Sequence, residues 1–427
     1  MTQNSSNPMK SAGFGFLASV LVATGAFGSG FSIYEQGAKA SGVAGAFVAF
    51  ADDASANWYN PANLVWLEGT QFQVGGNLIT AGGDTELEVL DPSFGVFVPT
   101  TFEPEDSIET PIHLYYTKKV NSNLAWGLGL TTPFGLVTDW AQRPITFTAA
   151  KSELATFVLN PNVAFRLTDK VSVAVGLDYM FADVGEFSRE VPIDLDGNPF
   201  NGFEVIGFSN LTGDTTELGW NVALSYQGDS TAFGFTYRSG FELDLDGEIE
   251  YSSFGPVSPF FPNSPGSAAI ELPAQAAIGW GVQLTETFSF EFDISWAEWS
   301  SFESIDIDIE NETLFSRDLV VEENWDDTMA YRLGFTWKTS PKNEWRFGAV
   351  YDESPVPEEF LRPSIPDADR TGLTIGFGHK SDRFTLDLYY MPLWFDEITA
   401  VPGSEGVIAG TYDTFVQLAG ASLNWSF

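Results

Sequence analysis

Many segments of the chain alternate between apolar and polar residues with a period of two. In residues 171–181 every second residue is Val, Leu, Tyr or Phe, whereas the residues between them are mostly small or polar. The same division runs through residues 218–226 and 288–296. Because successive side chains of a strand point to opposite faces, each segment predicts a β-strand with one face buried in a nonpolar environment.

Fourteen such strands are predicted along the chain. They lie at residues 70–79, 111–119, 124–132, 153–167, 171–182, 216–227, 231–239, 273–284, 288–298, 329–338, 345–352, 371–380, 384–391 and 415–427. The connections between them alternate in length, since short turns follow the even strands and long loops follow the odd ones. The long loops are residues 80–110, 133–152, 183–215, 240–272, 299–328, 353–370 and 392–414.

This arrangement favours a barrel over a soluble β-sandwich, because a sandwich would hold about seven to nine strands per domain. An even strand number, short turns at one rim and long loops at the other are typical of outer-membrane barrels. We therefore predict an all-β fold, a 14-stranded antiparallel transmembrane β-barrel with both ends at the periplasmic rim. Tryptophans on the apolar parity of the strands suit the aromatic girdles of such barrels. They are Trp126, Trp220, Trp280, Trp296, Trp337, Trp345 and Trp425.

The amino terminus predicts export. An apolar, Gly- and Ala-rich run covers residues 11–27, and Ala26-Phe27-Gly28 offers small residues where a signal peptidase cleaves. The alternative, a membrane helix, needs about 20 apolar residues, and this run is shorter and interrupted by glycine. The predicted organisation is therefore a signal peptide at residues 1–28, an N-terminal segment at 29–69 and the barrel at 70–427.

Residues 29–69 are rich in Gly and Ala and show no sustained alternation. We call this segment the hatch, because it is long enough to fold inside the barrel lumen. Within it, Asn60-Pro61-Ala62 predicts a short helical turn, since Asn caps helices well and Pro suits the first helical position. The alternative for this tripeptide is an ordinary capped turn.

Composition excludes several functions. The chain has no cysteine and two histidines, so disulfides, thiol nucleophiles and Cys-ligated zinc are absent, and we expect no metal and no cofactor. Its 58 Asp+Glu against 19 Lys+Arg give a formal net charge of −39, which opposes binding to nucleic acid. Acidic residues concentrate in loops such as residues 299–328, where ten of them face Arg317 alone.

Several short motifs, in this order and spacing, give the chain a resemblance to a known family. The motifs are Gly30-Phe31, residues 51–54 (ADDA), 60–64 (NPANL), 159–170 (LNPNVAFRLTDK), 237–240 (YRSG), Trp299-Ser300, 351–357 (YDESPVP), 365–370 (IPDADR) and the terminal Phe427. With them the chain resembles the FadL/TodX-type transporters of hydrophobic compounds in Gram-negative outer membranes. The resemblance implies a fourteen-stranded barrel closed by a hatch. It also implies uptake of long-chain fatty acids or other hydrocarbons without an energy-coupling protein.

The resemblance further implies that outer loops form the first binding site. Two long loops carry phenylalanines that suit an apolar ligand groove. These are Phe200, Phe203, Phe208, Phe254, Phe260 and Phe261. The alternative is that the loops pack on one another and cap the barrel. Hydrophobic small molecules are the expected partners, and we expect a monomer surrounded by outer-membrane lipid and lipopolysaccharide.

Two arginines are candidates for binding a fatty acid carboxylate inside the barrel. Arg238 and Arg332 have inward parity near the outer ends of their strands, and arginine grips a carboxylate with two parallel hydrogen bonds. The alternative is that they pair with inward acids such as Glu291 and Asp293.

Pro133-Phe134-Gly135 falls where the third strand should continue. A proline inside a sheet removes a ladder hydrogen bond, and glycine permits a bend. The family resemblance suggests that this kink opens the barrel wall beside the hatch, so that ligand leaves sideways into the membrane. We expect ligand binding outside to shift the hatch at Asn60-Pro61-Ala62 and connect the lumen to that opening.

Three rival functions remain open. A general porin would have an open lumen, and a lipid hydrolase would need a nucleophile near a base. His113 has inward parity and His379 shares the apolar parity, so the two do not form one site, and we predict no catalytic residues and no enzyme. The third is uptake of neutral aromatic or aliphatic hydrocarbons, because a strongly anionic mouth should repel a fatty carboxylate.

Overall fold

A computed structural model of the protein describes residues 29–91, 96–195, 203, 205–401 and 407–427. The predicted signal peptide, residues 1–28, and the predicted capture residue Phe200 lie outside the described residues. No helix in the described part of the chain is both long and apolar enough to cross a membrane.

Within the described residues, fourteen antiparallel strands form the wall of a closed barrel. They are β1 (Thr70–Asp91), β2 (Ile112–Asn121), β3 (Leu124–Thr131), β4 (Lys151–Arg166), β5 (Val171–Ile193), β6 (Val205–Gln227), β7 (Thr231–Arg238), β8 (Gln275–Gln283), β9 (Phe288–Ala297), β10 (Thr328–Lys338), β11 (Asn343–Asp352), β12 (Arg370–Lys380), β13 (Phe384–Phe395) and β14 (Gly410–Ser426). Each strand pairs with its sequence neighbours. β14 also pairs with β1, from Gln71 opposite Ser426 to Leu87 opposite Gly410, which closes the sheet. The predicted 14-stranded barrel is confirmed.

The period-two alternation divides the lipid face from the lumen face of each strand. In β5, Val175 and Leu177 are 55% and 50% exposed, whereas Asp178 is fully buried in the lumen. Trp220 and Trp337 are likewise exposed on the outer face. A closed sheet satisfies every ladder hydrogen bond internally, so these apolar side chains can face lipid without exposing polar backbone.

The long loops contain more regular structure than the sequence analysis predicted. Several wall strands continue outward past their predicted ends. Eight further strands lie in the described parts of the loops; five of them pair with wall strands, and the three at 264–272, 304–309 and 319–322 pair with other loop strands. The eight strands are Val96–Phe102, Ile108–Glu109, Gly135–Asp139, Phe241–Ser252, Ser264–Leu272, Ser304–Ile309, Leu319–Glu322 and Ile398–Ala400. Three 3-10 turns, Ile145–Phe147, Gly255–Phe260 and Trp299–Ser301, complete the described loops. Alternation persists in these segments, since Phe241, Leu243 and Leu245 are all buried. Pairing with a neighbouring strand therefore extends the sheet beyond the bilayer.

The hatch fills the lumen. It contains α1 (Ala38–Ser41), α2 (Ala56–Tyr59) and a 3-10 turn at Pro61–Val65, and most of its side chains are buried against the wall. Two acids of β9 hold its middle: Asp293 Oδ2 accepts hydrogen bonds from the backbone N–H groups of Phe47 (2.8 Å) and Val48 (2.9 Å). Glu291 accepts from the next two, of Ala49 and Phe50. Four consecutive amides are thus bound by two carboxylates of the wall.

The lipid face of β5 gives a test of this barrel. Leu177→Arg places a charge near the middle of the apolar band and should destabilise the barrel by about 2–4 kcal/mol. Val171→Arg, on the same face at the turn end of the strand, should cost about 0–1 kcal/mol, because its charge reaches the interface. Urea unfolding in phospholipid bilayers measures both values. Equal effects would contradict the assignment of Leu177 to the bilayer interior.

Candidate functional site

The wall is interrupted at the predicted kink. β3 ends at Thr131, opposite Val158 of β4, and pairing with β4 resumes at Gly135, opposite Ala155. Three residues of the third strand thus stand opposite two of β4, which is one residue too many for a regular ladder. The hydroxyl of Thr156 on β4 fills the missing place, since it accepts from Phe134 N (3.0 Å) and donates to Phe134 O (2.6 Å).

The other edge of the kink is paired by the hatch. Ile33 N donates to Pro133 O (2.7 Å), and Gly135 N donates to Phe31 O (3.0 Å). The side-chain amide of Gln36 completes the pattern, because its Nε2 donates to Thr132 O (2.9 Å) and its Oε1 accepts from Thr132 N (3.2 Å). The start of the hatch therefore takes the place that a neighbouring wall strand would occupy.

β2 does not pair with the kinked part of the third strand. Its ladder with β3 ends at Leu114 opposite Leu130, and farther out β2 and its extension pair only with β1. One hydrogen bond, from Glu105 N to Asp139 O (2.9 Å), joins the two sides again at the outer end. We call the unpaired interval the wall gap. The hatch segment at Phe31 lies at its lumen side.

An apolar cavity adjoins this segment. Phe31 and Phe302 line it together with aliphatic residues of the outer strands, namely Leu136, Leu154, Val184, Leu211, Leu245, Ile270, Ile305 and Ile365. Among the described residues that line this cavity, Glu153 carries a charge, and none is a lysine or an arginine. A cavity of this kind suits an uncharged hydrocarbon chain or ring.

The ring of Phe31 is enclosed by aromatic side chains. Trp299 lies 4.8 Å from it between ring centroids, Phe302 and Trp325 lie 5.8 Å away, and Phe134 of the kink lies 6.3 Å away. All five side chains are buried. This aromatic cluster joins the hatch, the kink and the loop at 299–328, so movement of Phe31 must disturb all three.

Deeper in the lumen, a second cavity brings the two predicted arginines together. Arg238 forms an ion pair with Asp178 of β5, and its guanidinium lies 3.8 Å above the ring of Trp58 in the hatch. Arg332 lies 3.9 Å above the ring of Tyr34 and donates to Ser295 Oγ (3.0 Å). Both guanidinium groups therefore stack on hatch aromatics at one cavity.

Each arginine has an inward acid beside it. Arg238 pairs with Asp178, and Arg332 lies opposite Asp293 in the ladder between β9 and β10, while Glu291 and Asp293 also accept hydrogen bonds from the hatch amides. Sequence parity places all of them in the lumen, but only the barrel curvature and the hatch decide which groups meet.

The predicted turn at Asn60-Pro61-Ala62 is present and tied to the wall. Asn60 caps the 3-10 turn, because its side-chain oxygen accepts from Ala62 N (3.1 Å). Its Nδ2 donates to Val48 O (2.8 Å) within the hatch and to Leu224 O (3.2 Å) on β6. Ala62 O accepts from the hydroxyl of Ser172 on β5 (2.7 Å). The turn is therefore a docking point of the hatch as well as a capped turn.

A wide groove opens among the outer strands. Its described lining includes the apolar residues Leu211, Ile249, Tyr251, Phe261, Ile307, Ile309, Leu314, Phe315, Leu319, Val320 and Val321. We call it the outer groove. Leu314 and Phe315 are 68% and 54% exposed, which is unusual for large apolar side chains outside a bilayer and makes the groove a candidate binding surface.

Some of the predicted capture phenylalanines lie at this groove, and others lie elsewhere in the loops. Phe254 and Phe261 stack with their centroids 3.9 Å apart, and Phe260 packs on Phe315 at 5.6 Å. Phe203 packs on Phe147 at 5.6 Å. Phe208 is 41% exposed and is not part of the groove lining.

The two histidines lie apart, as their parity predicts. His113 is buried, with Nε2 2.8 Å from Ser422 Oγ and with no hydrogen-bond partner among the described residues at Nδ1. His379 hydrogen-bonds Asn343 (2.7 Å). A serine does contact His113, contrary to what local sequence suggests, but Ser422 Oγ is also the acceptor of a hatch amide, Ala38 N (3.0 Å). This arrangement serves hatch docking.

Several residues at the site were not predicted from the sequence. Gln36 and Thr156 complete the broken ladder, and Asp367 of the IPDADR motif accepts from Gly30 N (3.0 Å) at the start of the hatch. No periodicity marks Gln36 or Thr156, because each acts through a partner distant in sequence. The IPDADR motif, which contains Asp367, was a sequence signal that could have indicated this contact.

Comparisons with known proteins agree with this architecture. The model of the family described as outer membrane protein transport protein (OMPP1/FadL/TodX) matches residues 19–427. A long-chain fatty acid transport protein of Escherichia coli O6:H1 is 25% identical over 96% of this chain and 97% of that protein.

Among solved structures, a FadL homologue of Pseudomonas aeruginosa superposes with a TM-score of 0.80 at 19% identity, covering 93% of this chain and 100% of that one. The toluene transporter TodX of Pseudomonas putida gives 0.68 at 18% identity, covering 88% and 94%. These structures share the fold, and the family match extends over nearly the whole sequence. The chain therefore belongs to the OMPP1/FadL/TodX family of outer-membrane transport proteins.

Proposed function

We propose that this protein takes up hydrophobic compounds across the outer membrane, with long-chain fatty acids as the first candidate substrate. The observation that carries the proposal is the pairing of the hatch with the kink. Backbone groups in the barrel wall beside the wall gap are satisfied by residues 31–36 of the hatch, next to an apolar cavity. Because the hatch supplies these bonds, its displacement would open the wall toward lipid.

The route begins at the outer groove, where the exposed side chains of Leu314 and Phe315 offer an apolar surface to a molecule leaving water. It continues to the apolar cavity beside Phe31. A ligand there competes with Phe31 for the aromatic cluster, and loss of the Phe31–Gly135 hydrogen bond frees the kink. The ligand then leaves through the wall gap into the bilayer, so it never dissolves in the periplasm.

Two features support a fatty acid. The relative from Escherichia coli O6:H1 is named a long-chain fatty acid transport protein. In the lumen, Arg238 and Arg332 line one cavity and could bind a carboxylate with charge-assisted hydrogen bonds. Asp178 would then share Arg238 with the ligand.

A neutral hydrocarbon is the second candidate. The apolar cavity presents Glu153 and no cation among its described lining residues, and the whole chain carries a formal charge of −39. Both features disfavour an anion and leave an uncharged molecule unaffected. TodX, one of the proteins with this fold, is named a toluene transporter.

Uptake by a strain that lacks its own transporter of this family tests the proposal. Expression of this chain should restore uptake of labelled oleate, hexadecane or toluene, and mass spectrometry of the purified protein should find the preferred class bound. Absence of uptake of all three by a correctly inserted barrel would refute the proposed function.

The kink gives a test of lateral exit. Replacing Pro133 and Gly135 by valine should restore strand pairing and lower uptake severalfold, because the wall gap closes. Pro161→Val is the matched control, since Pro161 lies in the regular part of β4, opposite Leu128, and should leave uptake unchanged. Undiminished transport by the Pro133/Gly135 variant would rule out exit through the wall.

Asn60 gives a test of the hatch. Asn60→Ala removes the cap and two further hydrogen bonds, and a loss of about 1 kcal/mol raises the undocked population roughly fivefold. Conductance in planar bilayers should be low for the unaltered protein and higher for the variant. Asn121→Ala, which removes a comparable bond in an exposed turn, is the control. A large steady current through the unaltered protein would instead indicate a general porin.

A further inference from the structure

A buried ion pair lies at the floor of the outer groove. Arg362 Nη1 is 2.9 Å from Glu323 Oε1, and the two side chains are 5% and 4% exposed. Both line the groove beneath the aromatic side chains of Tyr251, Phe261 and Phe315. Burying a pair of charges costs free energy that its mutual attraction scarcely repays, so this pair adds little to the stability of the groove.

The charge of the groove differs from that of the chain. Among the described lining residues, Arg189, Arg317 and Arg362 balance Asp318, Glu322 and Glu323. A carboxylate therefore meets a locally neutral surface here, although the chain as a whole is strongly anionic. Apolar walls, a balanced rim and a guanidinium at the floor together match an amphiphile with a long chain and an anionic headgroup.

Glu323 is a weak partner for Arg362. Burial raises the pKa of its carboxyl to about 7, against the opposing effects of Arg362 and of the hydrogen bond from Trp325. A raised pKa means that the folded protein disfavours the charged form of Glu323. The raised pKa weakens the hold of Glu323 on Arg362, so a ligand carboxylate that enters from the groove can compete for the same guanidinium.

The second oxygen of Glu323 holds Trp325, whose Nε1 donates to Oε2 (3.1 Å). Trp325 packs against Phe302 at 4.7 Å and against Phe31 at 5.8 Å between ring centroids. It also abuts Gly30, which has a φ of +60°, and a Cβ there would lie 2.6 Å from the indole. The ion pair is thus two side chains away from the start of the hatch.

We propose that Arg362 is the headgroup site of the outer groove, where a fatty acid carboxylate replaces Glu323 and thereby releases Trp325 and the hatch at Phe31. This inference rests on the proposed function, because it assumes that the groove receives the transported molecule. In this proposal the fatty acid meets Glu323 and Arg362 first, before it contacts Arg238 or Arg332 in the lumen. Recognition of the charge at the entrance and the first movement of the hatch become one event.

Equilibrium binding of oleate and methyl oleate to the full-length protein in detergent tests the headgroup site. Arg362→Met should weaken oleate binding at least about tenfold, the loss expected when a charged hydrogen-bond partner is removed, and should leave methyl oleate within about twofold. Arg383→Met, an exposed arginine in the short turn between β12 and β13, away from the groove, should change neither. Methyl oleate serves as the folding control within each variant.

Glu323→Gln should change oleate affinity in the opposite direction to Arg362→Met. It keeps an oxygen for Trp325 but removes the competing charge, so oleate should bind severalfold more tightly while methyl oleate is unchanged. A purely structural ion pair would give no gain, because loss of either partner would weaken the groove for both ligands.

Hydrogen exchange tests the link to the hatch. Oleate should speed exchange of the Ile33 amide, which is bonded to Pro133 O, in the unaltered protein and not in Arg362→Met. If both ligands bind the unaltered protein and Arg362→Met weakens them equally, the headgroup site is wrong while the transport proposal stands. Oleate binding without faster Ile33 exchange would overturn the release step, and failure to bind either ligand would refute the transport proposal itself.

Discussion

Backbone hydrogen bonding inside a bilayer is the constraint on which the rest of the structure depends. Lipid offers no partner to a free N–H or C=O, so the chain must close its sheet completely. The third strand departs from this rule at Pro133-Phe134-Gly135 and remains tolerable because Thr156, Gln36 and the hatch at Phe31 and Ile33 supply the missing partners. An opening in the wall therefore exists only together with the segment that seals it.

The same constraint explains how charge is distributed. Acids that cannot face lipid lie in the outer loops, in the short turns or in the lumen, and burial in the lumen is costly without partners. Asp293 and Glu291 find them in four hatch amides, and Asp178 finds one in Arg238. The contacts that hold the hatch in place are thus also contacts that satisfy buried charges of the lumen. A ligand that draws on Arg238 or Arg332 also acts on the hatch aromatics stacked upon them, Trp58 and Tyr34.

Parts of the site followed from local chemistry. The cap at Asn60, the interruption at Pro133 and the inward parity of Arg238 and Arg332 depend on a residue and its near neighbours, so sequence reasoning found them. The partner of Arg238, the caging of Phe31 and the pairing of Gln36 with Thr132 depend on the barrel's curvature and on chain segments far apart. Ser422 beside His113 is another case, since 309 positions separate them.

The barrel, its fourteen strands and the rim that carries the long loops follow from alternation and connection length, because these record which face of each strand meets lipid. Neither pattern shows that alternating segments such as residues 241–252 continue the sheet above the membrane. The place where the wall is left unpaired, the segment that seals it, and the meeting of Glu323 and Arg362 beneath the outer groove become visible in the folded barrel alone. Such pairings depend on closure of the whole sheet around the hatch, which no local pattern encodes.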